Sequence, residues 1–106
     1  MSDVGDLTRD YRAAFQRYLP HRSEAALTLG YQLGRQAIVR GVSLLDLVHV
    51  HHLVLAEVLE ESREEDRRAV MSAAAEFLLE VLSTFDMAQR SLSARSRKTA
   101  QHPGTA

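Results

Sequence analysis

Residues 71–92 read MSAAAEFLLEVLSTFDMAQRSL. Within them Met71, Ala74, Leu78, Val81, Phe85, Ala88 and Leu92 recur at spacings of 3, 4, 3, 4, 3 and 4, a heptad seam held for three repeats. That spacing predicts one long helix whose apolar row must be covered by other helices. Ser83 and Asp86 spell a helix-start pattern inside the seam, the one local signal for a kink. Because the row keeps its phase across Ser83, the expectation is a single helix. Beyond Leu92 the chain has no apolar face, so residues 93–106 are expected to fray into a polar tail behind a folded unit of residues 1–92.

Toward the N-terminus, Ser62 and Glu65 read as a capping box opening this last helix, and Glu64, Glu65 and Asp66 place negative charge where its dipole favours it. The helix before it starts at Ser43, with Asp46 as a shortened box, and runs through Glu61. Winding it collects Asp46, His49, Glu57, Glu60 and Glu61 on a polar stripe. Leu44, Leu45, Leu47, Val48, Val54, Leu55, Val58 and Leu59 spread over half the circumference, wider than a single surface contact uses. This helix should sit centrally, or touch both the core and a second subunit.

The second helix begins at a Ser23 cap, runs to Arg40 and is closed by Gly41 in the left-handed conformation. Leu29, Leu33 and Ala37 lie on one side of it, and Leu27, Tyr31 and Ile38 on another. Inside it Gly30 and Gly34 each cost about 1 kcal/mol relative to alanine. Either a neighbouring helix packs closely against them or they floor a shallow groove for a partner. The first helix, Asp6 to Leu19, places Val4, Leu7, Tyr11, Ala14 or Phe15, and Tyr18 on one face before Pro20 stops it. No stretch alternates with period two. The fold class is therefore all-α, a four-helix bundle-like domain with a long C-terminal helix, expected to be homodimeric.

At 106 residues, 45 % hydrophobic and 25 % charged, the chain has the size and composition of one globular domain. Thirteen basic against fourteen acidic residues leave a net charge of -1, which argues against nucleic acid or an anionic membrane as a partner. Cysteine is absent, which removes disulfides, thiolate metal sites and thiol nucleophiles and fits a reducing compartment. The first residues carry acids where a secretory signal would carry bases, and no apolar run approaches the ~20 residues that span a bilayer. A cytoplasmic location is expected.

The residues most open to a chemical reading are His49, His51 and His52. His49 and His52 are three apart and can share a face, but the i, i+4 histidine pair with a nearby acid that marks metalloenzyme helices is missing. His51 and His52 point into the apolar arc, where neutral, hydrogen-bonded histidines are expected. A metal or pH-sensing site and a phosphoacceptor histidine are the alternatives; for the latter, Leu53-Val54-Leu55 stands where phosphotransfer domains carry a small, Lys- and Gly-containing stretch. No serine sits in a strand-to-helix elbow and no glycine-rich loop opens a helix. No catalytic residue, metal, cofactor or small-molecule substrate is expected. The basic run Arg95 to Lys98 has no aromatics to stack on bases and reads as a solvated end.

Tyr31-Gln32-Leu33-Gly34-Arg35-Gln36-Ala37, Gly41-Val42-Ser43-Leu44-Leu45-Asp46-Leu47, His51-His52 and Leu82-Ser83-Thr84-Phe85-Asp86-Met87-Ala88-Gln89-Arg90, in that order, resemble the N-terminal regulatory domain of RsbU-type phosphatases. The resemblance covers roughly Asp10 to Leu92. It implies a helical, homodimeric domain, related in fold to the C-terminal domain of the clock protein KaiA. It also implies partner switching in bacterial stress signalling, in which a switch protein of the RsbT kinase type is received and the signal passes through a following helix. One departure is Thr84, where the family commonly has proline. On this reading Tyr31, Gly34 and Arg35 are the expected partner surface, and Met71, Leu78, Val81 and Phe85 the expected dimer contacts.

Overall fold

The computed structural model describes residues 3–101, with side chains from Val4 to Arg95. Four helices follow one another: α1 (Asp3–Tyr18), α2 (Glu24–Val39), α3 (Leu44–Glu61) and α4 (Arg67–Gln101), with a single 3₁₀ turn over Glu64–Asp66 leading into α4. There is no strand among the described residues. None of the helices there is long and apolar enough to cross a membrane.

Local chemistry sets most of the boundaries. Ser23 and Ser43 are extended N-caps whose hydroxyls accept from Ala26 N and Asp46 N at 3.1 and 3.0 Å. Gly41 takes φ 73°. Its N–H donates to Ile38 O at 3.1 Å and the Val42 N–H to Ala37 O at 2.9 Å, the paired bonds of a Schellman end, with Val42 and Ala37 both buried beneath it. One expected cap does not form, and a second cap signature, inside the helix expected to be continuous, goes unused. Ser62 closes α3 instead of opening α4, its hydroxyl donating to Val58 O at 2.7 Å. Ser83 bonds back to Leu79 O at 2.7 Å within an unbroken α4. In each case a carbonyl four residues back offered the serine an intrahelical acceptor.

α4 is also longer than expected. Its backbone stays helical from Ser93 through Gln101, where a frayed tail was anticipated; Ala94, Arg95, Arg97, Lys98, Ala100 and Gln101 are good helix formers, and propensity carries the helix past its last apolar residue. The rest of the anticipated tail, residues 102–106, lies outside the described residues.

The core gathers on Phe77, fully buried on α4. Tyr11 meets it edge-on at 5.3 Å between ring centroids, and Phe15 and Tyr18 lie tilted at 5.7 and 5.5 Å. These three rings come from the face of α1 that the sequence picked. α4 turns inward with Val70, Ala73, Ala74, Phe77, Val81, Thr84 and Phe85. The heptad seam is thus half right: Ala74, Val81 and Phe85 are on it, while Met71 is 56 % exposed and Leu78 lies on the flank. Val81 and Phe85 are enclosed by their own chain at 0 % and 3 % exposure, so the expectation that they contact a second subunit is corrected.

α2 and α4 make the most extensive helix pair, and the two glycines are the reason. A Cβ at Gly30 would stand 3.1 Å from Phe77 Cε1; at Gly34 it would overlap Thr84 Oγ1 and Val81 O and lie 2.9 Å from Phe85 N. Gly34 therefore rests on the α4 backbone. Polar clamps hold the remaining edges. Arg12 grips Glu57 with two bonds of 2.7 and 2.9 Å between α1 and α3. At the α1–α2 turn Arg22, at φ 47°, donates to Ala69 O at 2.7 Å, and the Tyr18 hydroxyl donates to Glu76 at 2.9 Å.

Gly34→Ala is expected to destabilise the fold by about 1–3 kcal/mol, since overpacking against immovable backbone outweighs the gain of ~1 kcal/mol in helix propensity. Gly30→Ala should cost less, because a ring edge can shift where a main chain cannot. Urea denaturation of both variants beside the wild type checks the order; equal stability of Gly34→Ala and wild type would contradict the packing described.

Candidate functional site: a groove between α2 and α4

Just past the Gly34–Thr84 contact, a groove of about 520 Å³ opens between the second half of α2 and the distal part of α4. α2 supplies Tyr31, Arg35, Ile38 and Val39; α4 supplies Met87, Ala88 and Leu92, with Thr84 at the floor. The walls combine exposed large apolar side chains with Arg35, Ser91 and Arg95. Val39 is 85 % exposed, Met87 57 %, Leu92 49 % and Tyr31 38 %, and large apolar groups clustered in one concavity mark an interaction site more often than scattered ones do. The Arg35 guanidinium lies 6.0 Å from the centroid of the Tyr31 ring, at the outer limit of a cation–π contact.

Of the three residues expected at a partner surface, Tyr31 and Arg35 line this groove and Gly34 does not. Gly34 is buried and sets how closely its two walls approach, so its place in the partner surface is corrected to a packing role. Sequence reading missed Val39, Met87 and Leu92 as groove residues. A usable signal was Met87, which falls outside the heptad row on a stretch with nothing left to cover it, and flexible methionines suit adaptable binding surfaces.

The histidines separate. His51 is half-buried, and its Nδ1 is hydrogen-bonded to the Tyr11 hydroxyl at 2.8 Å. Burial first, and the neighbouring His52 second, lower the His51 pKa below its ordinary value. Burial raises that of Tyr11. His52, expected in the packed arc, is instead exposed, as is His49. No three histidines, aspartates or glutamates among the described residues are grouped to hold a metal ion. Thr84, the buried hydroxyl at the groove floor, is committed to Val81 O at 3.0 Å.

What this arrangement offers is a docking surface on an all-helical module, with Tyr11, His51, Arg12, Glu57, Tyr18 and Glu76 employed in holding helices together. The family described as phosphoserine phosphatase RsbU, N-terminal domain, matches residues 9–88. The chain belongs to that family, and the matched unit is the N-terminal regulatory domain, not the catalytic phosphatase domain. No curated protein and no solved structure matches the chain.

The lowered His51 pKa gives stability a sign with pH. The unfolded chain takes up the proton at about 6.5, before the folded one does, so this contribution is complete above that value and is lost as pH falls through it, levelling once the folded histidine is also protonated. The difference in unfolding free energy between wild type and His51→Gln, followed from pH 8 to pH 5, should therefore shift against the wild type on acidification. A pH-independent difference would contradict the neutral, Tyr11-bonded ring.

Proposed function

We propose that this protein is a non-catalytic, homodimeric signalling module of bacterial stress-response partner switching that acts in the cytoplasm. In this reading its α2–α4 groove receives a switch-kinase-type protein of the RsbT kind. The observation that carries the reading is the groove itself, a concavity lined by exposed apolar side chains including Tyr31 and Met87, in a domain of the RsbU N-terminal family. Tyrosine and arginine are favoured anchor residues at protein interfaces, and Tyr31 and Arg35 stand together on one wall.

Its physical means of relay is α4. One wall of the groove is α4 from Thr84 to Arg95, on a helix of 35 residues, about 52 Å long. A partner seated in the groove presses on the segment of α4 beyond Phe85, where none of the described side chains is fully buried, and biases its direction relative to the bundle. Binding at the groove and motion of the distal helix are then the same event.

Titration calorimetry with a switch-kinase-type protein tests this. Tyr31→Ala and Met87→Asp are each expected to weaken binding at least tenfold, about 1.4 kcal/mol or more, with unchanged far-UV circular dichroism. His49→Ala, on an exposed face away from the groove, should leave affinity unaltered. Undiminished affinity in both groove variants would overturn the assignment.

A further inference from the structure

α3 carries two apolar rows; its own chain covers one of them fully and the other only in part, at Leu55 and Leu59. Leu47, Val50, Val54 and Val58 are buried in the core. Leu45, Val48, His52, Leu55 and Leu59 form a second row at spacings of 3, 4, 3 and 4, the heptad spacing by which two helices meet along a seam. Leu45 is 79 % exposed, Leu44 beside it 51 % and Val48 38 %; His52 and Ala56 are exposed, and Leu55 and Leu59 half-buried. At about 100° per residue the row and its flanking Leu44 and Ala56 occupy roughly 120° of the helix surface. No Asp, Glu, Lys or Arg falls in that arc, whose one titratable group is the His52 imidazole; Asp46, Glu57, Glu60 and Glu61 all lie outside it.

We propose that this row is the homodimer seam, α3 of one copy packing antiparallel on α3 of a second copy with His52 beside the two-fold axis. The inference rests on the dimeric reading above and assigns it a face. A row without charge offers a charged partner nothing to pair with, whereas it is complementary to itself. Its ends are alike: Leu45 and Leu59 each stand seven residues from His52, so a two-fold rotation lays the row onto its own image. Charge also fixes the direction. Six acids, Glu57, Glu60, Glu61, Glu64, Glu65 and Asp66, stand at the far end of α3 and just beyond it against three bases, Arg63, Arg67 and Arg68, a net negative end, whereas Asp46 and Arg40 balance at the near end. Parallel pairing would bring the two negative ends together; antiparallel pairing sets them at opposite ends and opposes the helix dipoles favourably. The row from Leu45 to Leu59 is about 21 Å long and one helix wide, a narrower patch than the ~800 Å² per partner of a standard interface, so the pairing is expected to be weak and exchanging.

The absence of cysteine makes single-cysteine cross-linking a clean test. With a short bis-maleimide the His52→Cys protein should cross-link to itself. Leu45→Cys and Leu59→Cys should each do so poorly alone and efficiently when mixed. Leu45→Arg, at a position open to solvent, should keep its circular dichroism and raise the dimer dissociation constant at least tenfold by light scattering. Self-linking of Leu45→Cys alone would overturn the antiparallel arrangement. A Leu45→Arg protein as dimeric as wild type, with no link at His52→Cys, would overturn the α3 seam while leaving a dimer through another face. A wild type that stays monomeric at several hundred micromolar would remove the dimeric reading together with the seam.

Discussion

The contact on which the molecule turns is the backbone approach of α2 to α4 at Gly34. With no Cβ there, Thr84 Oγ1, the Val81 carbonyl and the Phe85 amide fill the space a side chain would take. That closeness lets Gly30, one turn earlier, lie against Phe77, and Phe77 is the ring on which Tyr11, Phe15 and Tyr18 converge. Each glycine gives up about 1 kcal/mol of helix stability, and the burial of this aromatic cluster offsets it. The same contact shapes the surface, because past Gly34 the helices part and leave the groove.

The division of labour among polar groups explains why the domain reads as a binding module. Arg12 with Glu57, Tyr18 and Arg22 with Glu76, and Tyr11 with His51 each join two helices. Of the histidines singled out in the sequence, His51 is thus committed to architecture. Beside the scattered Leu53, Met71 and Leu79, the exposed apolar residues gather in two places of different shape, a concave one between α2 and α4 and a convex row along α3. A concave site suits an inserted element of another protein, and a convex uncharged row suits a like row.

Much of the fold was legible in the residues for reasons that are local. Ser23, Ser43 and Gly41 sit where the chain has no helical alternative, so their capping chemistry could act as expected. Ser62 and Ser83 carried the same signature and failed, because each follows a helical turn whose i−4 carbonyl accepts its hydroxyl. Thr84, in place of the proline common in the family, keeps its backbone N–H, and α4 runs unbroken through it. At the site, Tyr31 and Arg35 were legible as a large aromatic and a cation on a helix face, while Val39 and Leu92 were not, since apolar residues at helical spacing look alike whether covered or bare.

Amino-acid order alone determined that there are four helices, roughly where each begins, that the last is the longest, and which family the chain resembles, because helix periodicity and caps are written in neighbours a few residues apart. Only the tertiary structure decided which of two overlapping apolar rows on α4 turns inward, that Phe77 and not Leu78 is the hub, and that Gly34 is floor and not surface. Those choices depend on what stands opposite: three rings of α1 and a bare backbone strip of α2 fit the row through Val70, Phe77 and Val81. A helix that is apolar over half its circumference cannot select its buried face until a partner of definite shape is set against it.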